Sequence, residues 1–310
     1  MGEVRVRPAT LADAADITAV HCSHVETWRR GGKGEPVPYE ALSLYERWLH
    51  GGPWMSVETC AVHLNRWLRA GHPLLVAEVG GRVVGEAEFV VNPEPSPYGP
   101  ALHLSLLFVH ADHRGRGVGR ALVEAGAELA RERGCAVLTT QPEQPAEPFY
   151  RQVGFEPWLW LREWQAPAVE GEVLAESAHH TPYPVDAGAV LRAGRYQCGR
   201  QAWDELPFHL ALAEHRRLRW GRWRVPLPDG GTAWLGLHAQ PLEPSQADGF
   251  IWIPPGVDLG PLVEALQRLA ARLGFAYVDL LLEEPEGREL ASGRGFEPQK
   301  DLTLWRRAGG

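Results

Sequence analysis

Apolar and polar residues alternate over the first seven positions, where Val4 and Val6 sit between charged neighbours, and this period of two predicts a short strand. Thr10-Leu11-Ala12-Asp13 then offers an N-cap and the start of a helix. From about Val37 to Leu68 the pattern is helical and aromatic, with Tyr39, Tyr45, Trp48, Trp54 and Trp67. The period of two returns afterwards. Leu74 to Val79 and Arg82 to Val91 read as strands joined by the tight-turn pair Gly80-Gly81, and Ala101 to Val109 reads as the next strand. Ala121 to Arg133 predicts a strong helix, Ala136 to Thr140 a short buried strand, Pro148 to Gln152 a helical turn and Trp158 to Trp164 a further strand.

Part of this pattern occurs twice. Leu122-Val123-Glu124-Ala125 returns as Leu262-Val263-Glu264-Ala265, a shift of 140 positions, and Gly134 finds Gly274 at the same shift. Gly154-Phe155-Glu156-Pro157 returns as Gly295-Phe296-Glu297-Pro298 at a shift of 141, so one inserted residue keeps the copies aligned. Gly80-Gly81 has a counterpart in Asp229-Gly230-Gly231. Two tetrapeptides and a glycine in one register, in one order of elements, imply duplication. The expected fold is therefore α/β (α+β), built as two related domains. Pro167, Pro182 and Pro184 punctuate a nonperiodic stretch, which places the first domain at 1–166, a linker at 167–184 and the second domain at 185–310.

Composition narrows the function classes. A chain of 310 residues can bury two cores without disulfides or metals, and Cys22, Cys60, Cys135 and Cys198 are too scattered for a zinc or redox motif. A net charge of −8 argues against a general nucleic-acid binder, because phosphate affinity comes from clustered basic residues. No apolar run approaches the roughly 20 residues of a membrane helix, and the start lacks a secretory pattern, so the expectation is a cytoplasmic chain with no membrane partner. His21-Cys22-Ser23-His24 has two possible metal ligands but no second distant pair, and reads as a helix face with two histidines.

The segment with chemical content follows Leu107-Phe108-Val109: His113-Arg114-Gly115-Arg116-Gly117-Val118-Gly119-Arg120, between a strand and a helix. Glycines let consecutive backbone N–H groups turn toward one point, and the positive end of the helix dipole reinforces an anion site there. A pyrophosphate meets that demand, with Arg114, Arg116 and Arg120 adding charge. A dinucleotide-binding reading fails because the loop comes after several antiparallel-type strands, and a P-loop reading fails because no Gly-Lys-Ser/Thr closes the segment.

Arg114-Gly115-Arg116-Gly117-Val118-Gly119 matches in full the Arg/Gln-x-x-Gly-x-Gly/Ala signature of the GNAT superfamily of N-acetyltransferases, which follows a V-shaped strand and opens a helix. Phe149-Tyr150-Arg151-Gln152-Val153-Gly154-Phe155 is similar to that family's terminal Tyr-x-x-x-Gly-Phe motif. The chain thus resembles a tandem of two GNAT-like domains, each a mixed, mostly antiparallel sheet flanked by helices. The resemblance implies acetyl-CoA as acyl donor. It places the pantetheine arm along the backbone at Leu107, Phe108 and Val109 and the pyrophosphate on Arg114, Gly115, Arg116, Gly117, Val118, Gly119 and Arg120.

The resemblance also implies a primary amine acceptor, on a small molecule or a peptide, and Tyr150 as proton donor to the departing thiolate. Backbone N–H near Val109 would polarise the thioester carbonyl. Many relatives carry a glutamate base where this chain has Ser105, so Glu88 and His103, with Glu86 beside them, are the substitutes, directly or through water. Glu143 stands near where relatives often have a CoA-contacting asparagine. In the second copy the loop reads Pro254-Pro255-Gly256-Val257-Asp258-Leu259: prolines remove donors, Asp258 brings the wrong charge, and no tyrosine precedes Gly295. The second domain is expected to be inactive and to complete the acceptor site, act as a pseudo-dimer partner or cover a sheet edge, in a monomer or a homodimer. A noncatalytic acyl-CoA sensor is the alternative reading; it would bind cofactor without transferring it.

Overall fold

The computed structural model describes residues 3–207, 212, 214 and 218–308; Met1 and Gly2, where the first expected strand begins, lie outside them. The contacts divide the chain into two units, one built from residues up to Val90 and from Leu104–Gly134, the other from Val91–His103 and Cys135–Ala308.

The first unit carries β1 (Arg5–Pro8), α1 (Ala14–Cys22), α2 (Leu44–Trp48), α3 (Val57–Arg69), β2 (Leu74–Val79), most of β3 (Arg82–Asn92), the end of β4 (Ala101–Val109) and α4 (Val118–Glu132). Its strand order is β1-β2-β3-β4, with β1–β2 and β2–β3 antiparallel. Asp13 starts the helical segment as its sequence suggests, accepting the Thr10 N–H at 2.7 Å while Arg7 holds its other side. The expected aromatic helix between Val37 and Leu68 is broken into α2, α3 and 3₁₀ turns, because Gly51-Gly52-Pro53 interrupts the backbone ladder. On α4 the buried positions Val118, Leu122, Val123, Gly126, Ala127 and Ala130 form one face. A Cβ at Gly126 would lie 2.6 Å from the Phe89 ring, so glycine is what lets α4 approach β3.

The second unit carries β5 (Val137–Thr140), α5 (Glu147–Gln152), β6 (Glu156–Pro167), β7 (Glu176–Ser177), β8 (Val190–Ala193), α6 (Gly199–Glu205), β9 (Trp220–Pro226), β10 (Thr232–Ala239), β11 (Gln246–Ile253), α7 (Gly260–Arg272), β12 (Tyr277–Glu283), α8 (Glu286–Ala291) and β13 (Glu297–Ala308). Its strand order is β5-β13-β6-β12-β8-β11-β10-β9-β7. The sequence repeat is visible in it: β6 and β13 both run 12 residues, each starting at the glutamate of its Gly-Phe-Glu-Pro motif. The hairpin expected at Asp229-Gly230-Gly231 joins β9 to β10, with Thr232 opposite Pro226.

The closing strands of the two repeats are exchanged. β13, at the end of the second repeat, lies against β5 of the first, with Trp305 opposite Thr140 and Arg307 opposite Leu138. β6, at the end of the first repeat, lies against β12 of the second, with Leu280 opposite Trp164 and Leu282 opposite Arg162. β6 and β13 also pair with each other from Glu297–Gln165 to Arg306–Glu156, antiparallel. Residues 135–167 therefore pack with the second half of the sequence, and the unit boundary departs from the proline-rich stretch.

Candidate active site

The glycine-rich loop has the local structure that its sequence demands. β4 ends at Val109, a 3₁₀ turn covers Ala111–His113, and α4 begins at Val118, three residues earlier than its hydrophobic period suggests. Gly115 has φ 71° and Gly117 φ 83°, a region in which side-chain-bearing residues are strained. A Cβ at either would meet nothing within 4 Å, so it is backbone conformation and not crowding that calls for glycine. Gly117 is the N-cap, and the first intrahelical bond runs from Ala121 N to Gly117 O at 3.0 Å. The N–H groups of Val118, Gly119 and Arg120 precede that bond, as at any helix start, and form the positive end of a 15-residue helix. Arg114, Arg116 and Arg120 are exposed around them. The arrangement can hold an anionic diphosphate by backbone donors and guanidinium charge.

Upstream, Leu107, Phe108 and Val109 are half-buried. Phe108 stacks on His21 with ring centroids 4.2 Å apart, and His21 stacks on Trp54 at 5.0 Å. Beneath these rings, Glu86 and Glu88 lie two residues apart on β3, both fully buried. His63 Nε2 and Trp54 Nε1 donate to the same Glu88 oxygen at 2.8 and 2.9 Å. Burial opposes charge on Glu88, but attraction to His63 and these two hydrogen bonds outweigh it and hold the carboxyl below its usual range. His63 is likewise raised, because Glu88 outweighs its burial, so the two form an ion pair. Glu86 is pushed well above the carboxylate range by burial and by the adjacent Glu88 charge, while burial brings His21 down to about 3. The proton of the Glu86–His21 pair therefore sits on Glu86, which donates to His21 Nε2.

His103 and Tyr150 belong to the second unit. His103 is fully buried with Nδ1 3.0 Å from Thr139 Oγ1 and Nε2 2.7 Å from Gln197 Oε1, and burial lowers it to about 4. Both ring nitrogens are engaged within its own unit, and Glu88 already accepts two hydrogen bonds. Tyr150 sits on α5 between Phe149 and Phe155, with ring centroids 5.2 and 5.5 Å away. Burial pushes its phenol up to about 12 against an opposing hydrogen bond with Thr140, so at neutral pH it keeps its proton.

The sequence reading missed what His21-Cys22-Ser23-His24 does. His21 and Cys22 lie in α1; Ser23 and His24 follow its end and reach the exit of β4. His24 Nε2 donates to Val109 O at 2.8 Å, and Ser23 Oγ accepts the Ala111 N–H at 3.0 Å. The signal was the density of polar side chains at a helix end, which periodicity alone assigns to a solvated face.

The second repeat has the same elements around a closed site. Between β11 and α7, Asp258 Oδ1 accepts the Gly260 N–H at 3.0 Å, so a carboxylate of the chain stands where the first repeat presents free donors. β11 and β12 pair in parallel only from Gln246–Tyr277 to Asp248–Asp279. Beyond that point they part and β8 lies between them, with Ile251 and Leu282 both opposite Ala193 and Trp252 opposite Leu191. The splay that the GNAT resemblance assigns to a pantetheine arm is here filled by polypeptide.

Comparison with known proteins agrees with this geometry. Residues 38–155 match the model of the Acetyltransferase (GNAT) family, a span that includes the glycine loop and Tyr150. Glucosamine 6-phosphate N-acetyltransferase of Trypanosoma brucei brucei is 33% identical over 76 residues, 24% of this chain and 52% of the relative, so the chain spans about half the length of that protein. A tandem GNAT protein from the clavulanic acid biosynthesis pathway superimposes with a TM-score of 0.50 over 99% of both chains at 16% identity. A GCN5-related N-acetyltransferase from Anabaena variabilis gives a TM-score of 0.59 at 10% identity, covering 99% of this chain and 73% of its own. At such identities the structural likeness establishes fold. With the sequence match across the loop, residues 38–155 are similar to the GNAT acetyltransferase family, and the chain shares the fold of a tandem GNAT protein.

Proposed function

We propose that the chain is an N-acyltransferase that moves an acetyl group from acetyl-CoA to a primary amine of a small molecule or peptide by direct attack, and that only its first repeat, residues 1–166, carries the active site. One observation supports this above all: Gly115 and Gly117 turn a loop with open space on its face into the free N-terminal donors of α4, with three arginines around it. The pyrophosphate of the cofactor sits on Arg114 to Arg120 and its pantetheine arm runs along Leu107, Phe108 and Val109.

The amine nitrogen attacks the thioester carbonyl carbon, the C–S bond breaks, and the thiolate takes its proton from Tyr150, whose phenol is un-ionised at neutral pH. With Glu88 acidic and His103 engaged at both nitrogens, the acceptor enters as the free base and its proton passes to solvent.

Titrating acetyl-CoA into the wild type and Gly117→Trp by calorimetry, with thiol release followed against a panel of amines, tests the proposal. The expected result is one acetyl-CoA per chain, binding lost in the variant, and amine-dependent thiol release whose kcat/KM rises with pH along the acceptor's own titration. A wild type that binds no acetyl-CoA overturns the reading. Binding without amine-dependent release on any amine would favour the sensor.

A further inference from the structure

The end of β4 is held by α1 through side chains that the acyl-transfer chemistry does not use. Peptide 109–110 is bonded on both sides: His24 Nε2 donates to Val109 O at 2.8 Å, and His110 N donates to Val84 O at 2.9 Å. A carbonyl can only accept, so the His24 tautomer with hydrogen on Nε2 is the one present. Two residues on, Ser23 Oγ accepts from Ala111 N at 3.0 Å and donates to Val20 O at 2.6 Å, which satisfies the hydroxyl and ties the start of the loop to the last turn of α1. The His24 ring also meets the edge of Phe108 at 5.4 Å, and Phe108 in turn stacks on His21. The Phe108 ring and the backbone of Val109 and Ala111 are thus addressed by His21, Ser23 and His24, three residues within four positions of the end of α1.

We propose that Ser23 and His24 are positioning residues for the acyl donor: they fix the peptide groups at Val109 to Ala111, and with them the register between the pantetheine-facing end of β4 and the pyrophosphate loop. The inference rests on the acetyl-CoA reading above. A geometry set by two hydrogen bonds from a neighbouring helix is preorganised before the cofactor arrives, and its loss shows as weaker donor binding with the acceptor's own KM unchanged.

Wild type, His24→Ala, His24→Gln and Ser23→Ala would be compared by calorimetry with acetyl-CoA, by thermal midpoint, and by donor and acceptor KM. His24→Ala is expected to raise the acetyl-CoA Kd and donor KM about three- to tenfold, the effect of one hydrogen bond, with acceptor KM unchanged. His24→Gln, whose amide N–H reaches about as far as Nε2, is expected to restore most of the affinity, and Ser23→Ala to fall between. A Kd within twofold of wild type in both His24→Ala and Ser23→Ala overturns the positioning role while leaving the acetyl-CoA site standing. Loss in His24→Ala without rescue by His24→Gln, or a fall in acceptor affinity equal to that for the donor, also overturns it. Should His24→Ala not fold, the Gln and Ser23 variants decide alone. A wild type that binds no acetyl-CoA removes the parent reading and this one together.

Discussion

Replacing Glu94 by glutamine tests how β8 is held in its position between β11 and β12. Glu94 is fully buried, and its two oxygens accept from Arg195 NH1 and NH2 at 2.8 Å each, from Leu191 N at 2.6 Å and from Asn92 Nδ2 at 2.8 Å. Arg195, itself buried, lies 4.1 Å over the Tyr98 ring and donates to Leu191 O at 2.6 Å. One carboxylate thus neutralises the guanidinium and anchors the backbone of β8 at Leu191. Glu94→Gln keeps the volume but strands the Arg195 charge in a dry setting, a change that costs about 3–5 kcal/mol, or about 5–8 °C in thermal midpoint for a chain of this size. Circular dichroism melts and urea titrations of the two proteins at pH 7 measure it. The pH dependence has a definite sign. Burial opposes charge on Glu94, but Arg195 and the hydrogen bonds prevail and lower the carboxyl, so its contribution is present above the unfolded value of about 4.3 and lost as pH falls through the folded one. The gap between wild type and variant therefore narrows below about pH 4. Adding Arg195→Met removes the stranded charge and is expected to recover part of the loss. A deficit under about 1 kcal/mol at pH 7 would refute the argument, because it would mean that the pair contributes no more than an exposed one.

Two further perturbations bear on catalysis and on architecture. Tyr150→Phe is expected to leave acetyl-CoA affinity unchanged and to lower kcat about 10²-fold or more, read from steady-state thiol release; an unchanged kcat would remove Tyr150 as the proton donor. Residues 1–167 expressed alone would lose β13, the neighbour of both β5 and β6, and β12, the other neighbour of β6, leaving strand edges without partners. That fragment is expected to aggregate or to dimerise in a concentration-dependent way, measured by size exclusion with light scattering, and a well-folded monomer would contradict the exchanged pairing.

Much of this was legible in the chain before any coordinates. The strands from Leu74 to Val109 carry their own turn signal in Gly80-Gly81, and β2, β3 and β4 fall within a residue of where the period of two puts them. The loop was legible because glycine at φ 71° and 83° is a backbone requirement that composition records directly. The proton inventory of the site was not. Glu86 and Glu88 are identical residues two positions apart, yet burial and the Glu88 charge raise the one while the other is lowered, and the difference lies in His63 and Trp54, which the fold brings in from 25 and 34 positions away. His103 is equally opaque, since Thr139 and Gln197, 36 and 94 positions distant, occupy its nitrogens. The strand exchange left no mark on local pattern either, because β6 and β13 have the same period and length whichever repeat they close.

That exchange gives a physical reason for what the second repeat kept and what it lost. The features shared by the two repeats are those that build a sheet and its covering helix. The Leu-Val-Glu-Ala face recurs on α4 and α7, and the Gly-Phe-Glu-Pro turn introduces β6 and β13. Losing either closing strand would open the edge of the other repeat, since β5 rests on β13 and β12 on β6. The cradle has no such partner. Once β8 lies along Ile251 to Ile253 and Asp258 accepts the Gly260 N–H at the start of α7, an arginine-rich glycine loop there would have no splayed strand to deliver a pantetheine arm. Its replacement by Pro254-Pro255 and Asp258 then costs the sheet nothing, and the prolines stiffen the connection. The second repeat is thus tied into the fold by the same strands that finish the first, and lacks the arginine-rich glycine loop that the first carries.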